Sequence, residues 1–306
     1  MPTRSIGVKL GGLVPERAPT LVELVELAVE LERVGADGIV DSEHILFTED
    51  MPHPGGSGKV VHERTSQLSN RGDPLMMLTA IAARTTTLEL FIGVLLGAGH
   101  SFAVLAKQCS TLDVLSKGRF SLGVASGWHA PEFRAMGIPP KERDERLEEI
   151  ILACRELWSP GRSHFEGRWI NFDGVFSEPA PVTPGGVPIW WGGNALKGPT
   201  ARRVATLGQG WTSREAAQYD EIAESIDHIS EVCVEHGRDP STVGFRTALS
   251  PTPADPTRRP AGEVIEEALA NHRKLEAAGV THFTIPLDFY ELELDDLGVL
   301  IGEMRA

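Results

Sequence analysis

The residues of this sequence that could do chemistry collect just after apolar runs. In GADGIVDSEHILF (35–47), Ile39 and Val40 give way at once to Asp41, Ser42, Glu43 and His44. An imidazole with an ordinary pKa of about 6.5 gives or takes a proton at neutral pH, and a carboxylate beside it orients it or pairs with a cation. His44 and Glu43 are therefore the candidate catalytic residues, with a solvent-exposed loop histidine and a capping or ion-pairing glutamate as the plainer alternatives. The same break recurs where GAGH (97–100) follows LELFIGVLL, SGWH (126–129) follows RFSLGVA, and GGN (192–194) follows VPIWW. WWGGNALKGPTARR (190–203) sets Gly192, Gly193 and Asn194 ahead of a helix start, near Lys197, Arg202 and Arg203. Backbone N–H groups at a helix N-terminus with a local basic cluster suit an anion; two arginines solvated on a helix are the simpler reading. His44, His100 and His129 all lie near such breaks, but neither HxH nor HExxH spacing occurs, so no metal site is expected.

The elements that must position these residues alternate. SIGVKL (5–10) reads as a strand, and TLVELVELAVELERVG (20–35) carries apolar residues at helical spacing, with Thr20 to cap it and Gly35 to stop it. DGIVD (37–41) is a second strand, and Asp73–Pro74 opens a helix expected to run to Thr85. LELFIGVLL (88–96) is apolar on both faces, as a buried parallel strand should be. A helix over 102–116, a strand over 119–126 and a helix over 140–158 follow, then a Gly- and Pro-rich excursion over 162–186. Strands at 187–193, 208–213, 242–250 and 281–288 alternate with helices near 199–207, 216–236 and 263–278, and a last short helix closes the chain. Eight strand–helix units imply parallel pairing with right-handed crossovers, and at this length they fit a (β/α)8 barrel better than an open doubly wound sheet. In such a barrel every strand's C-terminal end opens on one mouth, which is where the polar breaks would then lie.

Composition narrows the function classes. The 306 residues, 41% apolar, can bury a large core, expected here as a single domain over 1–306. Twenty-nine basic residues against 43 acidic give a formal charge of −14, which argues against nucleic acid as a partner. No apolar run approaches the roughly 20 residues of a membrane span, and MPTRSIGVKLGG carries no secretory pattern. Three scattered cysteines without a CxxC pair favour a reducing cytoplasm. GVKLGGLVPE lacks the GxGxxG spacing of a classical nicotinamide-binding domain.

The sequence also resembles the bacterial-luciferase-like superfamily, and within it the deazaflavin (coenzyme F-420)-dependent oxidoreductases, over about residues 5–290. GADGIVDSEHILF resembles that family's strand-two motif, in which Ser–Asp–His closes the strand; here the triplet is Ser42, Glu43, His44. The block from Leu105 to Trp158 is similar throughout, and VPIWWGGNA with LGQGW resembles the cofactor-phosphate strand and the strand after it. The resemblance implies a luciferase-like barrel and a role for His44 as acid/base or orienting group beside the coenzyme's reactive ring; the inserted loop over 48–72, with Gly55, Gly56 and Gly58, is either a lid over the mouth or a plain insertion. Glu43 departs from the family's aspartate. Gly93 and Val94 occupy the place of a non-prolyl cis peptide that bulges strand three against the ring, an in-strand glycine being the alternative. Ser126, Gly127 and Trp128 fall where members contact the cofactor; Trp128 stands where some deazaflavin dehydrogenases carry a glutamate, so it walls the substrate pocket or simply packs. Gly192, Gly193 and Asn194 would hold the coenzyme's phosphate. The expected activity is hydride transfer between coenzyme F-420 and a small organic substrate. The alternative is an FMN-dependent monooxygenase using oxygen, and a non-catalytic ligand-binding member is a third class. Pairing of two copies through helices two and three is the family's habit.

Overall fold

Local sequence sets the elements. Thr20 accepts a hydrogen bond from the N–H of Glu23 (3.2 Å) while Glu23 accepts one from the N–H of Thr20 (2.7 Å), a reciprocal cap that starts helix α1 (Leu21–Arg33). Gly35, at φ 96°, turns the chain out of it. Asp73 accepts from the N–H of Met76 and Pro74 fills the first turn of α2 (Pro74–Ala82), which ends three residues before the expected Thr85.

The computed structural model describes residues 4–10, 20–47, 72–214, 217–249, 260–286 and 292–306. Apart from Gly72, the inserted loop expected over 48–72 lies outside them. The strands β1 (Ser5–Lys9), β2 (Gly38–Asp41), β3 (Glu89–Leu95) and β4 (Phe120–Val124) are joined through α1, α2 and α3 (Phe102–Ser116). After β4 come α4 (Ala130–Ala135), α5 (Arg143–Trp158) and a two-stranded antiparallel hairpin, β5 (Ser163–Glu166) with β6 (Asn171–Val175). Then β7 (Ile189–Gly192), α6 (Thr200–Leu207), β8 (Gly210–Thr212), α7 (Tyr219–Glu235), β9 (Gly244–Ala248), α8 (Ala261–Ala277), β10 (His282–Pro286) and α9 (Leu294–Arg305) complete the order. Eight strands close in the cyclic order β1-β10-β9-β8-β7-β4-β3-β2, every neighbouring pair parallel: a (β/α)8 barrel. Two features go beyond the sequence expectation. The six-residue α4 is one, and the other is the hairpin inside the excursion, whose Phe172 stacks on Phe102 of α3 (5.5 Å between centroids).

The barrel interior is filled at its N-terminal end. Arg246 of β9, 2% exposed, donates to both oxygens of Glu89 (3.0 and 2.9 Å) and lies over the rings of Phe91 (4.1 Å) and Trp190 (5.4 Å). Burial pushes the His282 imidazole beside them down to about 3, and the Arg246 charge adds to this, so it stays neutral. Burial raises the Glu89 carboxyl, but the charge of Arg246 and the hydrogen bonds from the Ser5 hydroxyl and from Arg246 outweigh it and hold it below the usual range. Trp190 fits only because its neighbours are glycines: a Cβ on Gly244 would come within 2.3 Å of its ring, and one on Gly210 within 2.5 Å. Gly244→Ala is therefore expected to lower stability by about 1–3 kcal/mol through overpacking. Gly262→Ala in α8, where no atom lies within 4 Å of the new Cβ, should leave the urea midpoint unchanged or raise it. Equal midpoints for the two variants would show that the interior is looser than this packing implies.

Candidate active site

The C-terminal strand ends surround a cavity of about 650 Å3. His44 and Glu43 come from the end of β2, Gly93 and Val94 from β3, and Ser126, Gly127 and Trp128 from the end of β4; Gly192, Gly193 and Asn194 come from the end of β7. All ten residues named from the sequence line it.

His44 is held from behind. Its Nδ1 lies 3.0 Å from Oε2 of Glu132, a residue of α4 with no exposed side-chain surface. The other oxygen of Glu132 accepts from the N–H groups of Ile45 (2.7 Å) and Leu46 (3.0 Å), so one carboxylate fixes both the imidazole and the backbone that carries it. Burial pushes the Glu132 carboxyl up, but the bonds from His44, Leu46 and Ile45 outweigh it and hold it below the usual carboxylate range. An ionised acceptor at Nδ1 assigns the proton of neutral His44 to that nitrogen. Nε2 is then left with a lone pair when the ring is neutral and with a proton to give when it is charged.

Glu43 faces elsewhere. Its N–H donates to the carbonyl of Val94 (3.2 Å), and its Oε2 accepts from the N–H of Leu96 (2.7 Å). Nε2 of His100 sits 3.0 Å from both of its oxygens. Glu43 thus ties the end of β2 to the end of β3 while it lines the cavity.

The Gly93–Val94 peptide is cis, and the register between β3 and β4 shifts between Ile92 and Leu95. Backbones approach closely here: a Cβ on Gly93 would lie 2.8 Å from the Phe91 ring, and one on Gly123 would lie 2.2 Å from the carbonyl oxygen of Ile92. Gly127, at φ 72°, leaves no room for a side chain against Phe133 (2.6 Å). Trp128 stands edge-on to His44, with centroids 5.9 Å apart and planes at 84°; His129 packs against its other side at 5.1 Å.

Across the cavity, Lys197 and Pro199 approach from the β7–α6 connection, Thr200 and Arg203 from the first turn of α6, and Arg214 from beyond the end of β8. Arg203 is buried, bonded to Asp144 (2.8 Å) and Glu148 (2.7 Å) and placed over Trp191. Arg202, its neighbour in sequence, turns outward to Glu148 and does not line the cavity. The basic cluster read from the sequence thus splits: Lys197 and Arg203 reach the cavity, Arg202 is the solvated one. Sequence reasoning missed Glu132, Asp144 and Arg214. Pro131 marks the helix start that carries Glu132, but nothing local ties that residue to His44, 88 positions earlier. Among the described residues no group of three His, Cys, Asp or Glu side chains is arranged to hold a metal ion, and no helix is long and apolar enough to cross a membrane.

Residues 6–294 match the family model described as luciferase-like monooxygenase. The chain belongs to the luciferase-like monooxygenase family. An uncharacterized protein of Mycobacterium tuberculosis is 32% identical over 169 residues, 55% of this chain and 58% of its own length. An FMNH2-dependent dimethylsulfone monooxygenase of Pseudomonas putida is 30% identical over 171 residues, 55% of this chain and 46% of its own. The matched part thus spans about half the length of these curated relatives. Among solved structures, an F420-dependent secondary alcohol dehydrogenase in complex with an F420-acetone adduct shares the fold, with a TM-score of 0.77 and 18% identity over 99% of this chain and 100% of that one.

The Glu132 arrangement in this luciferase-like chain gives a pH-dependent expectation. A carboxyl whose folded pKa is depressed contributes stability above its unfolded value of about 4.3 and loses it as the pH falls through the folded value. Glu132→Gln, which leaves at least one buried donor without an acceptor, should cost about 1–3 kcal/mol at pH 7. The gap between its urea midpoint and that of the wild type should narrow as the pH is lowered toward about 3. A gap that stays constant with pH would contradict the assignment of Glu132 as an ionised acceptor.

Proposed function

We propose that this protein is an oxidoreductase that uses coenzyme F-420 for hydride transfer to or from a small organic substrate. The observation that carries this reading is the His44–Glu132 pair at the cavity wall. Reduction of a carbonyl-type carbon leaves an oxygen that needs a proton, and the reverse reaction needs a base at the same oxygen. A histidine with one nitrogen tied to a buried carboxylate and the other left to the cavity serves both directions.

The residues present fit a flat ring with an anionic tail. Along the β3 and β7 ends the cavity wall is glycine backbone at Gly93, Gly192 and Gly193, and a Cβ on Gly192 would already press Val94 at 2.9 Å. Lys197, Arg203, Arg214 and the start of α6 would hold phosphate, with Asn194 holding its own turn through the N–H of Leu196 (2.9 Å). The coenzyme, when bound, supplies the two-electron carrier, and the chain supplies position, exclusion of water and the proton. Glu43 would keep the β3 wall in place through Leu96 and His100, and His44 would hold or release the proton at Nε2.

The second reading, an FMN-dependent monooxygenase, is favoured by the dimethylsulfone monooxygenase relative, whose name states its dependence on reduced FMN. The exposed Met76 of α2 and Val104 and Leu115 of α3 support pairing of two copies through these helices. Cys109, Cys154 and Cys233, all free and buried, support residence in the cytoplasm.

Anaerobic titration of the protein with F-420 and with FMN, each oxidised and reduced, tests the choice by absorbance and fluorescence. Tighter binding of F-420 is expected. Preference for reduced FMN, with an oxygen-dependent intermediate on admitting air, would select the second reading. His44→Ala should leave coenzyme affinity within about threefold and lower turnover by about 10²–10⁴-fold. Unchanged turnover would remove His44 from the reaction.

A further inference from the structure

The two ends of the cavity differ in chemistry. Around the closed barrel β2 and β8 are opposite, with three strands between them on either side. The β7–β8 end carries Lys197, Arg203 and Arg214. Its counterpart at β2–β4 is aromatic and apolar: Phe47 and Trp128 line it with Val94, Leu96 and Ala125, and Ile45 and Leu46 stand beside Phe47 at the rim. Phe47 and Trp128, 38% and 57% exposed, form an apolar patch with His44 between them at the opening of the cavity.

His44 sits within this patch, 5.7 Å from the Phe47 ring and 5.9 Å from Trp128. Because Nδ1 is taken by Glu132, a ligand has the remaining nitrogen to bind, and these two rings flank the imidazole that offers it. The charged groups behind the patch are Glu132 and Glu43, both buried, and Arg143, which is bonded to the carbonyl of Gly127 and lies over the Phe133 ring. Lys9 on β1 also lines the cavity and already has a partner. An anionic group at His44 would therefore meet two carboxylates against one guanidinium, and a cationic one would find neither of these buried carboxylates open to it.

We infer that the β2–β4 half of the cavity binds an uncharged aromatic compound bearing a hydroxyl or carbonyl oxygen, its ring against Phe47 and Trp128 and its oxygen at Nε2 of His44. The inference rests on the proposed function only for leaving the basic end to the coenzyme. Aromatic faces prefer an aromatic guest at offset or edge-on geometry over an aliphatic one of equal size, and His44 already adopts the edge-on arrangement with Trp128.

The test is saturation-transfer NMR and calorimetric titration of the full chain, without coenzyme, using acetophenone, cyclohexyl methyl ketone and benzoate as probes. Acetophenone should bind saturably, with cyclohexyl methyl ketone weaker by up to about tenfold and any benzoate binding, at the basic end, insensitive to Trp128→Ala. Trp128→Ala should weaken acetophenone binding by about tenfold, and Trp128→Phe, which keeps a ring, should restore most of it. Phe47→Ala is the second variant, in case Trp128→Ala alters the fold; circular dichroism separates that outcome. Absence of saturable acetophenone binding, cyclohexyl methyl ketone binding as tightly, benzoate binding that Trp128→Ala weakens as much, or unchanged affinity in both alanine variants would overturn the inference. Failure of F-420 to bind, by contrast, would remove the coenzyme reading and leave these three titrations standing.

Discussion

A carboxylate taken wholly out of water must find its hydrogen bonds inside the protein, and Glu132 finds them in one short stretch of chain. Three donors from consecutive residues, 44 to 46, converge on it. The segment leaving β2 is thereby docked onto α4, and every feature at that side of the mouth follows. The orientation of the imidazole, the turn that presents Phe47 and the edge-on approach of Trp128 all depend on where this one acid sits. Glu149 of α5 does the same for the hairpin, accepting from the N–H groups of Arg168, Trp169 and Ile170. Two irregular segments of this protein are thus shaped by buried or half-buried glutamates that replace the hydrogen bonds a regular element would have supplied.

A parallel strand buried on both faces reads as an apolar run, and a capped helix start has a local code, so the alternation leading to the barrel was legible in SIGVKL, LELFIGVLL, Thr20 and Asp73–Pro74. Helix α4 was not, because six residues are too few to establish a period. Nor was the hairpin, whose β6 is mostly exposed and carries no clean alternation. The same distinction runs through the site. That His44 lay at a strand end was readable, since the break from Val40 to Asp41 is local. Its partner was not, because the bond to Glu132 joins positions 88 apart and exists only once the barrel has closed. Arg202 and Arg203 look equivalent in the sequence. Helical phase separates them, Arg203 turning in with Ala201, Val204 and Ala205 while Arg202 turns out.

The charged interior below the cavity carries a cost of its own. Arg246 is removed from water with Glu89 only partly exposed beside it, and part of that penalty is recovered through one nitrogen bonded to both carboxylate oxygens and through two aromatic faces, while Nε of Arg246 has no partner among the described residues. The arrangement holds together as a unit. His282 stays neutral beside the guanidinium, and glycines at 210 and 244 leave space for Trp190. Replacing any one member leaves the others with a charge or a void that has no place to relax.

That plug also closes the barrel from below. With Arg246, Phe91 and Trp190 filling the lower interior, a guest seated against the Gly93–Val94 wall must leave by the side from which it came. Two molecules that shared the cavity at different depths would then enter and leave in order, the deeper one first in and last out.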